Sequence, residues 1–242
     1  MEVLALIPAR GGSKGIPRKN LTDFLGRPLI AWSIDAGLAS RRVTRVVVTT
    51  DDDAIAEVAR ECGADVPFRR PAELATDLVA DLPVFAHALE WLEQNEGYSP
   101  EVVVQLRPTS PVRPDGLIDD GIDRLVAAPT ADSLRTVCEP MNNPFKMWRI
   151  EDGLLVPLVD SGVPEGYNRP RQELPTAYWH TGTLDVIRTT TILSGASMSG
   201  RTILPMVIDP SLATDIDDVH SLRHAEEMAR RLGFGSAVPA PS

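Results

Sequence analysis

The sequence predicts an α/β fold built on a doubly wound, mostly parallel sheet. Three short apolar runs have the length and composition of buried parallel strands: Val3–Pro8, Arg45–Thr49 and residues 101–106. Helical patterns alternate with these runs, and β-α-β alternation brings such strands into one sheet. The chain has 242 residues, of which 43% are hydrophobic, so it can bury a full core.

The helices are predicted from capping residues and terminal glycines. Asp52 and Asp53 are expected to cap the second helix and Asp81 the third, and Gly63 and Gly97 follow the ends of these helices. Helices are predicted at residues 28–40, 54–62, 81–96, 115–127, 189–194 and 219–232. Further strands are predicted at residues 65–68, 133–139, 184–187 and 203–208.

A basic, glycine-rich loop follows the first strand. It contains three glycines and three cations: Gly11, Gly12, Gly15, Arg10, Lys14 and Lys19. Glycine lets backbone N–H groups face an anion, and arginine and lysine neutralise its charge. The loop therefore predicts a polyphosphate site, with a solvated basic turn as the alternative. It contains neither the P-loop pattern nor the dinucleotide fingerprint, which argues against P-loop NTPases and dehydrogenases.

Two further segments are expected at the same edge of the sheet. Residues 107–113 form a stiff, proline-rich loop after the third strand, and ligands of open α/β sheets bind at this edge. Alternation turns Asp215 and Asp217 to one face and Ile216 away from it. Two carboxylates can bind one hard cation, and Mg²⁺ or Mn²⁺ suits them better than zinc. The alternative is an N-cap for the helix near Val219.

Residues 140–183 interrupt the β-α-β pattern. Prolines, the hairpin turn Asp152-Gly153 and many polar side chains predict an inserted arm that contacts substrate, although a proline-rich surface excursion has a similar composition. One domain is thus expected over residues 1–234. The tail at 235–242, rich in small residues and proline, is expected to be disordered.

Composition narrows the classes of partner. A net charge of −10 argues against nucleic acid, whose phosphates require a broad basic surface. No apolar run reaches the length of a membrane span, and the N-terminus has no signal-peptide pattern, so we expect a cytoplasmic protein that does not bind membranes. Cys62 and Cys138 lack a second cysteine or histidine at metal-site spacing and are expected to be buried free thiols.

Several spaced motifs together resemble a known family. They are Ile7-Pro8-Ala9-Arg10-Gly11-Gly12-Ser13-Lys14-Gly15 with Lys19-Asn20, Thr50-Asp51, Gln105 with Pro108-Thr109-Ser110-Pro111 and Arg113, Asn143-Pro144 with Lys146, Arg171-Gln172 with Leu174-Pro175, and Asp215-Ile216-Asp217. In this order, over nearly the whole chain, they resemble the cytidylyltransferases that make CMP-activated nonulosonic acids, typified by CMP-sialic acid synthetase (acylneuraminate cytidylyltransferase).

The resemblance implies a Rossmann-like nucleotidyltransferase fold and a reaction of CTP with a 2-keto sugar acid that yields a CMP-sugar and pyrophosphate. It implies nucleotide contacts from Ala9, Arg10, Gly11, Gly12, Ser13, Lys14, Lys19, Asn20, Arg70 and Ala80, the last two and Asn20 near the cytosine. It implies contacts to the sugar acid from Gln105, Thr109, Ser110, Lys146, Arg171, Gln172, Tyr178 and His180. Arg10, Lys14, Lys19 and Asp217 are the expected catalytic residues. Asp215 and Asp217 are expected to bind Mg²⁺ or Mn²⁺, and the arm is expected to form a homodimer.

One stretch departs from the family pattern. Where the family commonly has Asn-Gly, this chain has Tyr178-Trp179-His180-Thr181-Gly182. Changes in a hydrogen-bonding pocket can alter specificity by orders of magnitude. A different base, or another acidic acceptor such as 3-deoxy-octulosonate or a phosphonate, therefore stays open. A non-catalytic nucleotide-binding module is a further alternative, against which Lys14 and the two aspartates argue.

Overall fold

The computed structural model describes residues 1–235, and a six-stranded sheet forms their centre. The strands are β1 (Val3–Pro8), β2 (Asp23–Phe24), β3 (Arg27–Pro28), β4 (Arg45–Thr49), β5 (Val102–Gln105), β6 (Ser133–Cys138), β7 (Trp148–Glu151), β8 (Leu154–Pro157), β9 (Trp179–Arg188) and β10 (Ile203–Val207). The helices are α1 (Leu29–Ala39), α2 (Asp53–Glu61), α3 (Asp81–Glu96), α4 (Leu117–Ala127), α5 (Thr189–Leu193) and α6 (Val219–Arg231).

The central sheet is parallel except for one strand. Its order is β10-β6-β9-β5-β1-β4, and β9 runs antiparallel to both β5 and β6. The carboxyl ends of β1 and β5 therefore lie side by side, so the loops that follow them share one edge of the sheet.

Helices cover both faces of the sheet. Alternate residues of β1 point to opposite sides, so Ala5 packs with α1, α2 and α4, whereas Leu6 packs with α3 and α5. Strands buried on both faces read as continuous apolar runs, which is why they were recognisable in the sequence. The predicted doubly wound, mostly parallel α/β fold is confirmed.

A third apolar cluster supports the ligand edge. Ile16 of the glycine-rich loop and Ile216 between the two aspartates pack together with Leu29 of α1 and Ala225 of α6. Burial of these four side chains joins the first loop to a segment two hundred positions later in the sequence. The cluster therefore holds the basic loop and the aspartates together.

Three predicted features of local structure are wrong. The strand expected at residues 65–68 is a single bridge between Val47 and Asp65, because Pro67 has no N–H to continue the pairing. Ala80, with no side-chain hydrogen bond, occupies the N-cap of α3 in place of Asp81. Cys62 is half-buried, whereas Cys138 is buried as expected; both are free thiols.

The inserted arm is shorter than predicted. The strand expected at 184–187 begins at Trp179, so the arm ends at about residue 178 rather than 183. Trp179 and His180 pair with β6, and Thr181 donates a hydrogen bond to Thr136 Oγ1 at 2.9 Å. The predicted Asp152-Gly153 turn is confirmed, with positive φ at both positions between β7 and β8.

Two further expectations concern the C-terminal tail and membrane-spanning segments. The tail predicted to be disordered, 235–242, lies outside the described residues apart from Gly235. Within the described part of the chain, none of the helices combines the length and apolar character needed to cross a membrane.

Candidate active site

A cavity of about 380 Å³ lies at the carboxyl ends of β1 and β5. The predicted site residues that line it are Arg10, Ser13, Lys14, Lys19, Asn20, Arg70, Thr109 and Asp217. The basic loop, the proline-rich loop and the aspartate segment thus meet, as their positions after strands predicted. Ala80 lies between two further lining residues, Val79 and Asp81.

The backbone of the basic loop is fixed by its neighbours. Gly11 N–H donates to Asp51 Oδ1 at 2.9 Å, and Asn20 Nδ2 donates to the carbonyl oxygen of Arg10 at the same distance. Gly15 lies directly against the aspartate segment, since a Cβ there would be 1.9 Å from the Asp217 carbonyl oxygen. The loop therefore has one arrangement, and its cations point into the cavity.

Lys19 connects the basic loop to the aspartates. Its Nζ donates to the carbonyl oxygen of Ile216 at 2.7 Å and to Asp217 Oδ1 at 3.1 Å. Lys19 is mostly buried, unlike Lys14, whose side chain is largely exposed. Lys19 thus has a fixed position, whereas Lys14 can move to a ligand.

Helix capping does not explain the two aspartates. Ile216 is fully buried between Asp215 and Asp217, and Asp218 caps α6 by accepting from Ser221 N–H at 2.7 Å. Partial burial raises the pKa of the Asp215 carboxyl, and the negative charge of Asp217 raises it further. Such a pair favours a bound cation.

These carboxylates fit a hard divalent cation of the kind that also binds phosphate. Mg²⁺ typically takes one or two protein carboxylates and completes its shell with water and phosphate oxygens. The described residues contain no cluster of three or more histidine, cysteine or acidic side chains suited to a metal. Asp215 and Asp217 could supply two carboxylates to such an ion.

A second cavity adjoins the first at these aspartates. Asp217 faces the nucleotide-side cavity, whereas Asp215 lines the adjoining cavity of about 760 Å³. Arg171, Trp179 and His224 line the same adjoining cavity, which is mostly apolar. The segment Asp215-Ile216-Asp217 therefore contributes one aspartate to the lining of each cavity.

Two buried arginines carry charge without a carboxylate partner in their hydrogen bonds. Arg70 donates to the carbonyl and hydroxyl oxygens of Thr49, and burial lowers its pKa to about 10. Arg113 donates to the carbonyl oxygens of Thr183 and Arg107, and burial together with the charge of Arg107 lowers its pKa to about 9. Arg70 lines the cavity and adds positive charge to it, whereas Arg113 lies outside the cavity lining.

Gln105 does not face the cavity, and Arg107 does. Gln105 is 0% exposed, and its Nε2 donates to Asp81 Oδ2 at 2.8 Å. Gln105 is absent from the cavity lining, and its contact with the sugar acid stays a prediction. Arg107 lines the cavity and donates to Asp81 at 3.1 Å and to Asp185 at 2.8 Å.

His180 is turned toward a buried carboxylate. Its Nε2 lies 2.9 Å from Asp185 Oδ1, and Arg107 and Arg135 contact the same aspartate. Burial disfavours ionisation of Asp185, but His180 and Arg107 outweigh burial and lower the pKa of the Asp185 carboxyl. His180 thus belongs to the ion cluster behind Arg107.

The remaining predicted acceptor residues lie apart from the nucleotide side. Lys146 and Tyr178 are exposed on the arm. Arg171 donates to Glu139 Oε2 at 3.0 Å, and Gln172 lines a small cavity beside it. Ser110 is buried, and its hydroxyl has no partner among the described residues.

Sequence reasoning missed three charged residues of the cavity. Arg107 is the first residue of the proline-rich loop that was recognised, but it was given no role in the site. Asp81 was assigned to helix capping, a role that the sequence alone could not distinguish from a ligand-side role. Asp77, which contacts Arg10 and Lys14, lies in an irregular segment and carries no motif.

The family follows from a comparison with known sequences. A family model described as Cytidylyltransferase matches residues 4–150, which is more than half of the chain. The chain belongs to the cytidylyltransferase family. The resemblance inferred from the spaced motifs is thereby confirmed.

Curated relatives in the family are named for nonulosonic acids. A pseudaminic acid cytidylyltransferase of Campylobacter jejuni is 41% identical over 127 residues, which cover 52% of this chain and 54% of that protein. The chain thus spans about half the length of that relative. A CMP-N,N'-diacetyllegionaminic acid synthase of the same species is 32% identical over 89% of this chain and 90% of that protein.

A solved structure supports the fold of the family. A CMP:2-keto-3-deoxy-manno-octonic acid synthetase complexed with CTP has a TM-score of 0.65 and 15% identity, and the match covers 96% of this chain and 100% of that one. At this identity the likeness concerns the fold alone.

Proposed function

We propose that this chain transfers CMP from CTP to a nonulosonic, sialic-acid-like 2-keto sugar acid, with release of pyrophosphate. The observation that carries the proposal is that Asp217 lines a cavity with several cations, while Asp215, two residues away, lines a mostly apolar cavity. The first suits a triphosphate and the second suits an acceptor. The names of the relatives support the class of acceptor.

The chemistry is an in-line displacement at the α-phosphorus of CTP. The acceptor hydroxyl attacks, and pyrophosphate leaves with the charge that develops on its oxygens. Arg10 and Lys14 neutralise this charge, while Lys19 holds its position through Asp217. Bound Mg²⁺ on Asp215 and Asp217 would supply further neutralisation and orient the phosphates. Asp217 is our candidate for the group that accepts the hydroxyl proton.

Recognition of the acceptor carboxylate is assigned to arginine. Arg171 lines the adjoining cavity together with Asp215, and a guanidinium suits bidentate contact with a carboxylate. We also propose a homodimer, located in the cytoplasm. The exposed apolar side chains of the arm support it, because Ile150 is 76% and Leu154 is 69% exposed in the single chain.

A different acidic acceptor is the second candidate, because the chain departs from the family pattern at the start of β9. The departure from the family pattern at Tyr178–Thr181 coincides with the start of β9, where His180 faces Asp185 rather than an open pocket. An acceptor such as 3-deoxy-octulosonate or a phosphonate would retain the nucleotide chemistry and change only the contacts in the adjoining cavity.

The test is pyrophosphate release with Mg²⁺ and each of CTP, UTP, ATP and GTP. Each nucleotide is combined with nonulosonic acids, 3-deoxy-octulosonate or a phosphonate. We expect release with CTP and a nonulosonic acid, and a loss of at least about 100-fold in Lys14→Ala and Asp215→Ala. Release with another acid alone would favour the second acceptor. Tight CTP binding without turnover across the panel would favour a non-catalytic module.

A further inference from the structure

Asp77 bridges the two cations that face the triphosphate. One carboxylate oxygen lies 2.6 Å from Arg10 Nη1, and the other lies 2.5 Å from Lys14 Nζ. The hydrogen bonds from Lys14 and Arg10 lower the pKa of the Asp77 carboxyl, so it is ionised at neutral pH. A carboxylate therefore stands in the cavity where phosphate oxygens are expected.

Among the described residues, Asp77 differs from three other aspartates that have roles in the fold. Asp51 accepts the N–H of Gly11, Asp52 caps α2, and Asp218 caps α6. Within residues 1–235, the Asp77 carboxylate forms ion pairs with Arg10 and Lys14. It lies between the turn at Ala72–Leu74 and α3, in a segment without regular structure. Its position is thus set by the two cations.

We propose that Asp77 is an internal competitor of the nucleotide phosphates. It neutralises Arg10 and Lys14 in the free enzyme, leaves them when a polyphosphate binds, and returns when pyrophosphate departs. The identity of the ligand as CTP rests on the proposed function, whereas competition with a polyphosphate does not. Asp77 is therefore a residue that sets affinity for the substrate and the rate of product release.

The strength of these ion pairs suits such a role. The Lys14 side chain is 80% exposed and Asp77 is 35% exposed, and exposed ion pairs contribute little to stability. A polyphosphate carries several charges and can displace one carboxylate. Displacement of a bound anion by Asp77 is aided because the carboxylate is covalently held close to the cations.

The direction of the expected effect distinguishes competition from ordinary binding. A residue that binds substrate weakens binding when it is removed, whereas a competitor strengthens it. In Asp77→Asn, we expect the Kd for Mg-CTP and for Mg-pyrophosphate to fall by about 3- to 10-fold. Inhibition by pyrophosphate should become stronger by a similar factor.

The experiment is isothermal titration of wild type, Asp77→Asn and a matched control with both ligands. Asp53→Asn is the control, because Asp53 forms an exposed ion pair with Arg69 at 2.6 Å and does not line the cavity. Its Kd values should equal those of wild type. Thermal unfolding establishes that both variants are folded, and Asp77→Ala provides a second variant without the amide.

Each result supports or overturns the inference. Unchanged or weaker binding in Asp77→Asn and Asp77→Ala would overturn it, since Asp77 would then be inert or would help to hold the ligand or its metal. Tighter binding of pyrophosphate in a protein that does not bind CTP would support competition and contradict the proposed function. Absence of binding of either anion to any variant would overturn the inference.

Discussion

Two glycines of the basic loop have opposite surroundings, although their sequence context is similar. A Cβ on Gly15 would lie 1.9 Å from the carbonyl oxygen of Asp217, whereas a Cβ on Gly12 would have nothing within 4 Å. Gly15 therefore allows the loop and the aspartate segment to touch backbone to backbone. This contact is a requirement of the site and not of the local turn.

We predict that Gly15→Ala impairs catalysis much more than Gly12→Ala. The added methyl group pushes the Asp217 backbone away from Lys19, and misplacement by about 1 Å can lower kcat/KM by about 100-fold. Steady-state kinetics and thermal unfolding of both variants test this expectation. Equal activity in the two variants would show that the contact with Asp217 is not needed.

At the residue scale, the sequence identified the side chains of the site better than it predicted the contacts between them. Arg10, Lys14, Lys19 and the two aspartates were found because their charge, glycines and alternation carry chemical meaning. The hydrogen bond of Gln105 was not foreseen, since its partner Asp81 lies 24 positions earlier in another element. Pairings of this kind are set by tertiary packing, which no local pattern reports.

At the element scale, β9 brings a buried charge cluster into the middle of the sheet. Asp185 is 0% exposed and contacts Arg107, Arg135 and His180. The antiparallel direction of β9 aligns this aspartate with Gln105 of β5 and Arg135 of β6. The strand thus supports Arg107 from behind while Arg107 faces the cavity.

We predict that Asp185→Asn destabilises the protein by about 3 kcal/mol at pH 7, because it leaves two arginines without their shared counter-charge. Denaturant unfolding measures this loss. Asp120→Asn is the control, since the exposed pair of Asp120 and Arg124 should contribute less than about 0.5 kcal/mol. A loss of the same size in both variants would contradict a special role for the cluster.

The pH dependence of this loss has a defined sign. The folded protein lowers the pKa of the Asp185 carboxyl below its ordinary value of 3.8. The carboxylate therefore contributes stability above that ordinary value, and the contribution is lost as the pH falls toward the folded pKa. The difference between wild type and Asp185→Asn should narrow as the pH falls below about 4.

The elements themselves were largely predictable, and the exceptions share a cause. Buried parallel strands and capped helices have local signals, so β1, β4, β5 and α2 were found. β9 was recognised only at its apolar end, because its first half buries Thr181 and Thr183 and contributes polar groups to β6. A strand that buries hydroxyls lacks the apolar run by which the others were recognised.

At the scale of the whole molecule, the arm extends away from the core with an apolar surface. Ile150, Leu154 and Leu155 are exposed on the hairpin of β7 and β8. Composition predicted an inserted segment, but it could not predict which surface the arm covers. Lys146 on this arm lines neither the nucleotide-side cavity nor the cavity beside it. Under the proposed function, Lys146 would reach an acceptor in the cavity of a second copy of the chain.

We predict that two inactive variants recover activity when they are mixed. Lys14→Ala removes a cation of the cavity, and Lys146→Ala removes the contact from the arm. In a mixed dimer, one cavity with an intact Lys14 receives an arm with an intact Lys146. Random exchange should therefore restore about one quarter of wild-type activity. The measurement is turnover after co-refolding of equal amounts, with each variant refolded alone as the reference.

A control variant separates crossing of the arm from other causes of recovery. Ile150→Asp places a charge on the exposed hairpin and should prevent pairing, so its combination with Lys146→Ala should abolish the recovery when mixed with Lys14→Ala. Light scattering of the Ile150→Asp/Lys146→Ala variant alone should then give the mass of a single chain. Recovery that persists with monomeric protein cannot come from exchanged arms. A full dimer without recovery would mean that each arm serves the cavity of its own chain.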